Sequence, residues 1–211
     1  AWIMWLTRQT NVDGFRWDAV KHYPHFVVQD LCYNLKYNNS WASLGETMFN
    51  VGEYVGSKSE IDGYVNSVTF SNGGSDELLG TFDFGLRGAV FGMVTGNGFY
   101  DMTNIPGQQQ DERVHFYAGS NTYVNRTVPF VNNHDTFRPQ FDANGNYAGW
   151  NTGDELAARI DPFEIRLSAA YAVIFAVDGS PQVFFEDLFN IGGKGNSWTH
   201  LPPDEADLEV R

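Results

Sequence analysis

Three carboxylic acids stand close to the ends of short apolar segments of the sequence. Asp18 and Glu53 each end such a segment, and Asp135 follows a third segment by three residues. A carboxylate can attack an electrophilic carbon, and a protonated carboxylic acid can donate its proton to a leaving group. Cleavage of a glycosidic bond with retention of configuration uses these two groups at a separation of about 5–5.5 Å. The acids therefore favour sugar hydrolysis if the fold brings them together.

The segment that ends at Asp18 has the alternating pattern of a strand. Gly14, Arg16 and Asp18 share one face, and Phe15 and Trp17 share the other. A cation two residues before a carboxylate favours its ionised form, which suits a nucleophile. An isolated pair of this kind is more often a solvated ion pair, and the two other acids are what favour the catalytic interpretation.

The three acids are expected to differ in protonation. Crowded carboxylates cannot all ionise, so one of them keeps its proton at neutral pH. Since Arg16 accompanies Asp18, we expect Asp18 to be charged and Glu53 to hold the proton. Asp135 is then a candidate to bind sugar hydroxyls and to help distort the ring.

Five apolar segments alternate with segments of helical character. Strands are predicted at residues 12–17, 47–53, 80–84, 127–132 and 181–185, and helices at 1–9, 24–36, 57–68, 86–94, 114–124 and 163–177. Polar loops are expected at residues 38–43, 96–110 and 137–154. Repeated strand–helix units without hairpin turns indicate an α/β protein with a parallel sheet. The lack of a GxGxxG turn favours part of a TIM barrel over a dinucleotide-binding sheet.

In such a barrel the carboxyl ends of the strands meet at one face, where the three acids could converge. A complete barrel takes about 250 residues. We therefore expect residues 1–201 to form the C-terminal part of one, and the acidic residues 202–211 to form a tail or linker.

Composition excludes several classes of partner. The 211 residues carry 26 acidic against 13 basic side chains, a net charge of −13, which argues against binding to nucleic acid. No apolar run reaches the length of a membrane span, and no signal peptide opens the sequence. Cys32 lies in an apolar run and is expected to be a buried, unreactive thiol.

The motifs that carry these acids resemble those of the α-amylase family of glycoside hydrolases. Residues 12–22 (VDGFRWDAVKH) look like its nucleophile motif, 50–54 (NVGEY) its acid/base strand, 130–135 (FVNNHD) its third catalytic motif, and 179–185 (GSPQVFF) its last barrel strand. Residues 82–87 (FDFGLR) are similar to its sixth-strand region. The motifs follow in the order and spacing of the family, through essentially the whole sequence.

This resemblance implies a role for each site residue. Asp18 would be the nucleophile, Glu53 the general acid/base, and Asp135 the stabiliser of the transition state. Arg16 would orient Asp18, and His134 would hydrogen-bond the sugar hydroxyls beside the cleaved bond.

The resemblance also implies binding on the aglycone side. Lys21 and His22 would line that side of the cleft, and the backbone carbonyl of His22 is a candidate calcium ligand. The rest of a calcium site, and barrel strands one to three, have no counterpart in the sequence, so the implied fold is barrel strands four to eight. Asn132 departs from the acidic residue that many relatives have at this position. Secretion is a further expectation drawn from the family.

The implied substrate is starch or a maltooligosaccharide, cleaved at α-1,4 bonds. A transglycosylase, branching enzyme or cyclodextrin-processing relative is an alternative, because these enzymes share the three acids. A non-catalytic member that binds carbohydrate or serves as a structural subunit is a further alternative, although such members typically lose one or more of the acids. The sequence leaves the oligomeric state open.

Overall fold

The fold was obtained as a computed structural model. It describes residues 2–38, 48–71, 75–76, 78–111, 114–116, 123–125, 127–136, 139–144, 147–150, 160, 164–191 and 208–210. The chain forms two compact units: the first comprises Ala1–Leu86, Thr103–Pro129 and Val177–Ser180, and the second comprises Arg87–Met102, Phe130–Ala176 and Pro181–Arg211.

A parallel sheet forms the centre of the first unit. Its strands are β1 (Gly14–Trp17), β2 (Phe49–Gly52) and β5 (Gly80–Thr81), in the order β1-β2-β5. A parallel bridge between Phe82 and Val128 extends the pairing by one further segment. The predicted α/β class and parallel pairing are confirmed in this unit, whereas the assignment to barrel strands four to eight stays a prediction.

Helices with apolar faces flank the strands of the first unit along the chain. They are α1 (Trp2–Thr10), α2 (His25–Tyr37) and α3 (Lys58–Val68), and a short 3-10 helix spans Val20–His22. Val28, Cys32 and Leu35 recur at helical spacing along α2 and are buried, as predicted for Cys32. A capping box between Ser57 and Glu60 begins α3.

A network of buried polar groups lies at the end of β5. The carboxylate of Asp83 accepts hydrogen bonds from the backbone N–H groups of Leu86 (2.9 Å) and Gln110 (3.3 Å). The side chain of Gln110 donates to the Phe82 carbonyl and accepts from the hydroxyl of Thr81. Because Asp83 caps it, helix α4 (Phe84–Thr95) begins at Phe84, so the predicted strand at 80–84 ends earlier than expected.

The described residues of the second unit include most of α4, two further helices, two short antiparallel strand pairs and an isolated bridge. Helix α6 (Leu167–Ala176) buries Leu167, Ala170, Tyr171 and Ile174. Phe130 forms a parallel bridge with Gln182, and helix α7 (Phe185–Leu188) follows, so the predicted strand at 181–185 reduces to this bridge. Strand β10 (Phe189–Ile191) pairs with β11 (Leu208–Val210).

Two predictions for the connecting segments are wrong. Residues 114–124 were expected to be helical, but β6 (Val114–Phe116) and β7 (Tyr123–Asn125) form an antiparallel pair. β-Branched and aromatic residues dominate both strands, and such side chains favour strands over helices. The expected loop at 96–110 contains the short helix α5 (Asn104–Gln108).

The polar loop expected at residues 137–154 is also wrong over part of its length. Strands β8 (Pro139–Phe141) and β9 (Tyr147–Trp150) pair antiparallel within it. Aromatic residues stand in both strands, and the carboxylate of Asp142 accepts a hydrogen bond from the N–H of Asn144 in the turn between them.

Two further strands lie in described parts of the first unit, β3 (Phe70–Ser71) and β4 (Ser75–Asp76), which pair antiparallel. Among the helices that the structure describes, none combines the length and the apolar character needed to cross a bilayer.

The close pairing of β1 and β2 predicts an effect of Gly14. A Cβ atom at this position would lie 2.0 Å from the Phe49 carbonyl oxygen, a contact that only a shift of the backbone can relieve. Gly14→Ala should lower the free energy of unfolding by about 3 kcal/mol or more, as measured by urea denaturation. Gly63→Ala in α3 is the control, because a Cβ atom added there would have nothing within 4 Å.

In the control the added methyl group should raise the free energy of unfolding by about 0.5–1 kcal/mol, since alanine loses less conformational entropy in a helix than glycine. Equal effects of the two substitutions would contradict this account of the strand pairing.

A second prediction concerns the buried carboxyl group of Asp83. Burial raises the pKa of Asp83 from 3.8 to about 6. A raised pKa means that the folded state holds a proton which the unfolded state releases, so the stability contributed by this proton is complete below the unfolded pKa and is lost as the pH rises through about 6. The difference in unfolding free energy between the wild type and Asp83→Asn should fall by about 2–3 kcal/mol from pH 4 to pH 7. Urea denaturation across this range tests it, and a constant difference would contradict it.

Candidate active site

The end of β1 places Asp18 at a sharp change of backbone direction. Ala19, the next residue, adopts the left-handed conformation with a φ of 49°. Beyond this turn the side chain of Val20 is fully buried, and its N–H donates to the carbonyl oxygen of Glu53 at 3.0 Å. The N–H of Glu53 in turn donates to the carbonyl oxygen of Trp17 at 2.9 Å. Backbone hydrogen bonds therefore tie together the ends of the two strands that carry Asp18 and Glu53.

One nitrogen of the Arg16 guanidinium contacts both carboxylates. It lies 3.1 Å from Oδ1 of Asp18 and 2.8 Å from Oε2 of Glu53. The two acids differ sharply in exposure, since the Asp18 side chain is 74% exposed and that of Glu53 is 5% exposed. The sequence predicts Arg16 beside Asp18, and the structure adds the shorter contact with Glu53.

Aromatic and amide groups hold this arrangement in place. The guanidinium of Arg16 lies over the ring of Phe82, 5.8 Å from its centroid. The indole N–H of Trp17 donates to the side-chain oxygen of Asn50 across the paired strands, at 3.3 Å. A cation over an aromatic face gains electrostatic attraction, so Phe82 helps to fix the orientation of Arg16.

Tyr23 anchors the loop that follows Asp18. Its hydroxyl donates to the backbone carbonyl oxygen of Asp18 at 3.1 Å. Burial raises the pKa of Tyr23, and the negative charge of Asp18 raises it further. The phenol therefore remains a hydrogen-bond donor well above neutral pH.

Lys21 and His22 follow Asp18 in the short 3-10 helix. The ammonium of Lys21 donates to the Val55 carbonyl at 3.1 Å and lies 5.3 Å from the centroid of the Tyr54 ring. These contacts place Lys21 beside the residues that follow Glu53. The side chain of His22 is exposed, and its backbone N–H donates to the Ala19 carbonyl.

The assignment of the backbone carbonyl of His22 as a calcium ligand stays a prediction. No group of three or more His, Cys, Asp or Glu side chains among the described residues is arranged to hold a metal ion.

His134 and Asp135 lie on a tight turn in the second unit. The side-chain oxygen of Asn133 accepts hydrogen bonds from the N–H groups of Asp135 (3.0 Å) and Thr136 (2.9 Å). This Asx turn carries the half-exposed His134 and the partly buried Asp135. Nε2 of His134 lies 3.2 Å from Oδ2 of Asp135.

The structure brings Arg16, Asp18 and Glu53 into direct contact. Sequence analysis did not identify the groups that support them, which include Phe82 beneath Arg16 and Tyr54 beside Lys21. Tyr54 directly follows Glu53, and Phe82 directly follows β5. Both positions could have been found by searching the strand ends for aromatic partners of the two cations.

Because Arg16 contacts the buried Glu53, we expect that removal of the cation lowers the free energy of unfolding. In Arg16→Gln the Glu53 carboxylate loses its ion pair while it remains buried, so the free energy of unfolding should fall by about 1–3 kcal/mol. Urea denaturation at pH 7 measures the change. Arg8→Gln, on the exposed side of α1, is the matched control and should change it by less than about 0.5 kcal/mol.

Comparison with known proteins gives matches along almost the whole chain. No protein-family model matches it. An α-amylase of Bacillus licheniformis is 25% identical over 209 residues, which cover 99% of this chain and 33% of that protein. The cytoplasmic α-amylase of Escherichia coli (strain K12) is 28% identical over 204 residues, which cover 93% of this chain and 34% of that protein. The chain thus spans about a third of the length of the curated relatives it matches.

Two solved structures share the fold. Both are of a cyclic α-maltosyl-(1→6)-maltose hydrolase from Arthrobacter globiformis, one with maltose and one with cyclic α-maltosyl-(1→6)-maltose. Each is 16% identical, and the TM-scores are 0.52 and 0.56. They cover 92% and 98% of this chain, and 36% and 38% of their own. By sequence the chain is similar to α-amylases over nearly all of its length, which confirms the resemblance to the α-amylase family of glycoside hydrolases that its motifs predict.

Proposed function

We propose that this chain carries the catalytic pair of a retaining α-glucan hydrolase that cleaves α-1,4 bonds in starch or maltooligosaccharides. The observation that carries the proposal is the contact of one Arg16 nitrogen with both Asp18 and Glu53. The relatives named as α-amylases support the substrate class. The chain would correspond to barrel strands four to eight of such an enzyme.

The separation of the two bonded oxygens is compatible with a retaining reaction. Because both bonded oxygens touch the same nitrogen, they lie no more than about 6 Å apart, which is compatible with the separation of about 5–5.5 Å in retaining glycosidases. Inverting enzymes hold the two groups about 6.5–9.5 Å apart, which leaves room for a water molecule.

The exposure of the two acids suits different roles. Asp18 is open to solvent, so its carboxylate can approach the anomeric carbon of a bound sugar. As the new carbon–oxygen bond forms, Glu53 would protonate the departing glycosidic oxygen. Water would then attack the glycosyl–Asp18 ester while Glu53 takes the proton from that water, which releases the sugar and restores both acids.

Glu53 must be protonated at the first step and ionised before the second. Burial disfavours its charged form, whereas the guanidinium of Arg16 at 2.8 Å favours it. Two opposed influences of this kind suit a group that takes both states in each cycle. The roles of Asp135 as stabiliser, and of His134, Lys21 and His22 as sugar-binding groups, come from the family resemblance.

Substitution of the two acids tests this proposal in the longest form of the protein that contains this chain. Asp18→Asn and Glu53→Gln should each lower the release of reducing sugar from soluble starch by at least about a thousandfold, because each removes a group that takes part in bond formation. Asp111→Asn is the control, since Asp111 is as exposed as Asp18 and pairs with Lys58 instead. It should retain wild-type activity.

The stereochemistry and the products test the finer points. Proton NMR of the first product should show the α-anomer if the reaction retains configuration. Full activity of Asp18→Asn would contradict the assignment. Longer transfer products in place of short maltooligosaccharides would favour a transglycosylase, and binding of glucans by an inactive wild type would favour a non-catalytic carbohydrate-binding protein.

A further inference from the structure

The second unit contains a buried polar network directly before the turn of His134 and Asp135. Its centre is Asn132, which is fully buried. The side-chain N–H₂ of Asn132 donates to the Ile160 carbonyl (2.8 Å) and to both carboxylate oxygens of Asp187 (3.1 and 3.2 Å). Its side-chain oxygen accepts from the N–H of Ile160 at 3.2 Å. The amide thus uses both its donor and its acceptor sides.

Asp187 contributes the carboxyl group of this network and is itself almost fully buried. Besides Asn132, it accepts a hydrogen bond of 2.6 Å from the hydroxyl of Tyr171 in α6. Burial raises the pKa of Tyr171, and the adjacent Asp187 raises it further, so this phenol stays a donor. The same hydroxyl accepts from the N–H of Phe184, which links the helix to the segment before α7.

Arg87, in α4, contacts the segment of residues 130–132 that contains Asn132. Its Nε donates to the Val131 carbonyl at 2.8 Å, and its guanidinium lies over the ring of Phe130, 5.8 Å from the centroid. A terminal nitrogen of Arg87 also lies 3.4 Å from the side-chain oxygen of Asn132. Arg87 and Asp187 thus lie on opposite sides of the Asn132 amide, against its oxygen and its nitrogen respectively.

We propose that Asp187 is a positioning residue, which acts through Asn132 to hold the turn at residues 132–136 in the orientation that presents His134 and Asp135. The proposal rests on the proposed function for the meaning of that turn. Asn132 donates hydrogen bonds to Asp187 and is also the first residue of the turn. The position of the Asp187 carboxyl group therefore fixes the position of the first residue of the turn. The turn is itself linked to this amide, because the hydroxyl of Thr136 lies 3.5 Å from the Asn132 side-chain oxygen.

The chemistry of the amide explains why asparagine suits this position. An acidic residue at 132 would place two buried carboxylates against each other where Asn132 now donates to Asp187. Like charges at this distance cannot both ionise, so one would have to hold a proton. A carboxylate also has no donor for the Ile160 carbonyl. The amide therefore lets the carboxyl group of Asp187 lie against this segment.

A charge exchange tests the pairing in the longest form of the protein that contains this chain. In Asn132→Asp, the repulsion from Asp187 should grow as the pH rises. Displacement of the turn should then lower kcat at pH 8 by about tenfold relative to the wild type, with KM changed less than about twofold and a smaller loss at pH 5. In the double variant Asn132→Asp/Asp187→Asn, the new amide at 187 faces the new carboxylate, so kcat should return to within about threefold of the wild type at both pH values.

Amide hydrogen exchange of residues 132–136 gives a readout that does not depend on activity. Exchange should be faster in Asn132→Asp at pH 8 than in the wild type, after correction for the intrinsic rate, and should recover in the double variant. Tyr171→Phe should produce a smaller effect of the same sign, because Asp187 keeps its bond to Asn132. Thermal unfolding of each variant identifies any general loss of the fold.

Each outcome has a distinct meaning. Wild-type kcat, pH profile and exchange in Asn132→Asp would overturn the positioning role of Asp187. Equal impairment of the single and double variants would also overturn it, since Asn132 would then act through Ile160 alone. A wild type without glycosidase activity would count against the proposed function, while recovery of slow exchange in the double variant would still support the positioning role.

Discussion

The shared contact of Arg16 with Asp18 and Glu53 sets the requirements for the first unit. For one guanidinium nitrogen to reach both acids, their strands must be parallel, adjacent and in a fixed register. The pairing of Trp17 with Gly52 meets this requirement, because Asp18 and Glu53 are the next residues on each strand. At the other end of the pairing, Gly14 allows the backbone to approach the Phe49 carbonyl more closely than any side chain permits. The register of the whole strand pair thus serves the position of three side chains at its end.

The same contact stabilises two neighbouring carboxyl groups that differ in their exposure to solvent. Two acids so close together would repel if both were charged in isolation, and the guanidinium between them offsets that repulsion. Glu53 is buried and Asp18 is exposed, so loss of the cation would cost Glu53 more than Asp18. The ring of Phe82 and the backbone bonds between the strand ends restrict the movement of the three groups. An arrangement held from several sides suits chemistry in which reacting atoms must keep their places.

The sequence predicts the parts of this structure that depend on local pattern. Alternation around Arg16 and the apolar spacing along α2 lead correctly to the first strand and to the burial of Cys32, because each depends on a single repeating face. The helix predicted at 114–124 is wrong, since the short strands there are formed by pairing and carry no strong period of their own. The contact of Arg16 with Glu53 was not predicted either. It joins residues 37 positions apart, and only the strand register shows that one nitrogen serves both acids.

Asn132 in the second unit and Arg16 in the first unit meet comparable physical constraints. Each unit contains a buried carboxyl group, Glu53 in the first and Asp187 in the second. A neighbouring side chain offsets the cost of burying it, because that side chain donates hydrogen bonds to the carboxyl group and also bonds a second group. The donor differs because the need differs. Arg16 must compensate two acids, whereas Asn132 must serve one acid and both backbone groups of Ile160, which a guanidinium without an acceptor could not do. A substitution by charge alone, such as an acid at 132, therefore changes the balance of donors and acceptors as well as the charge. For this reason Asn132 is best understood together with Asp187, as one half of a pair.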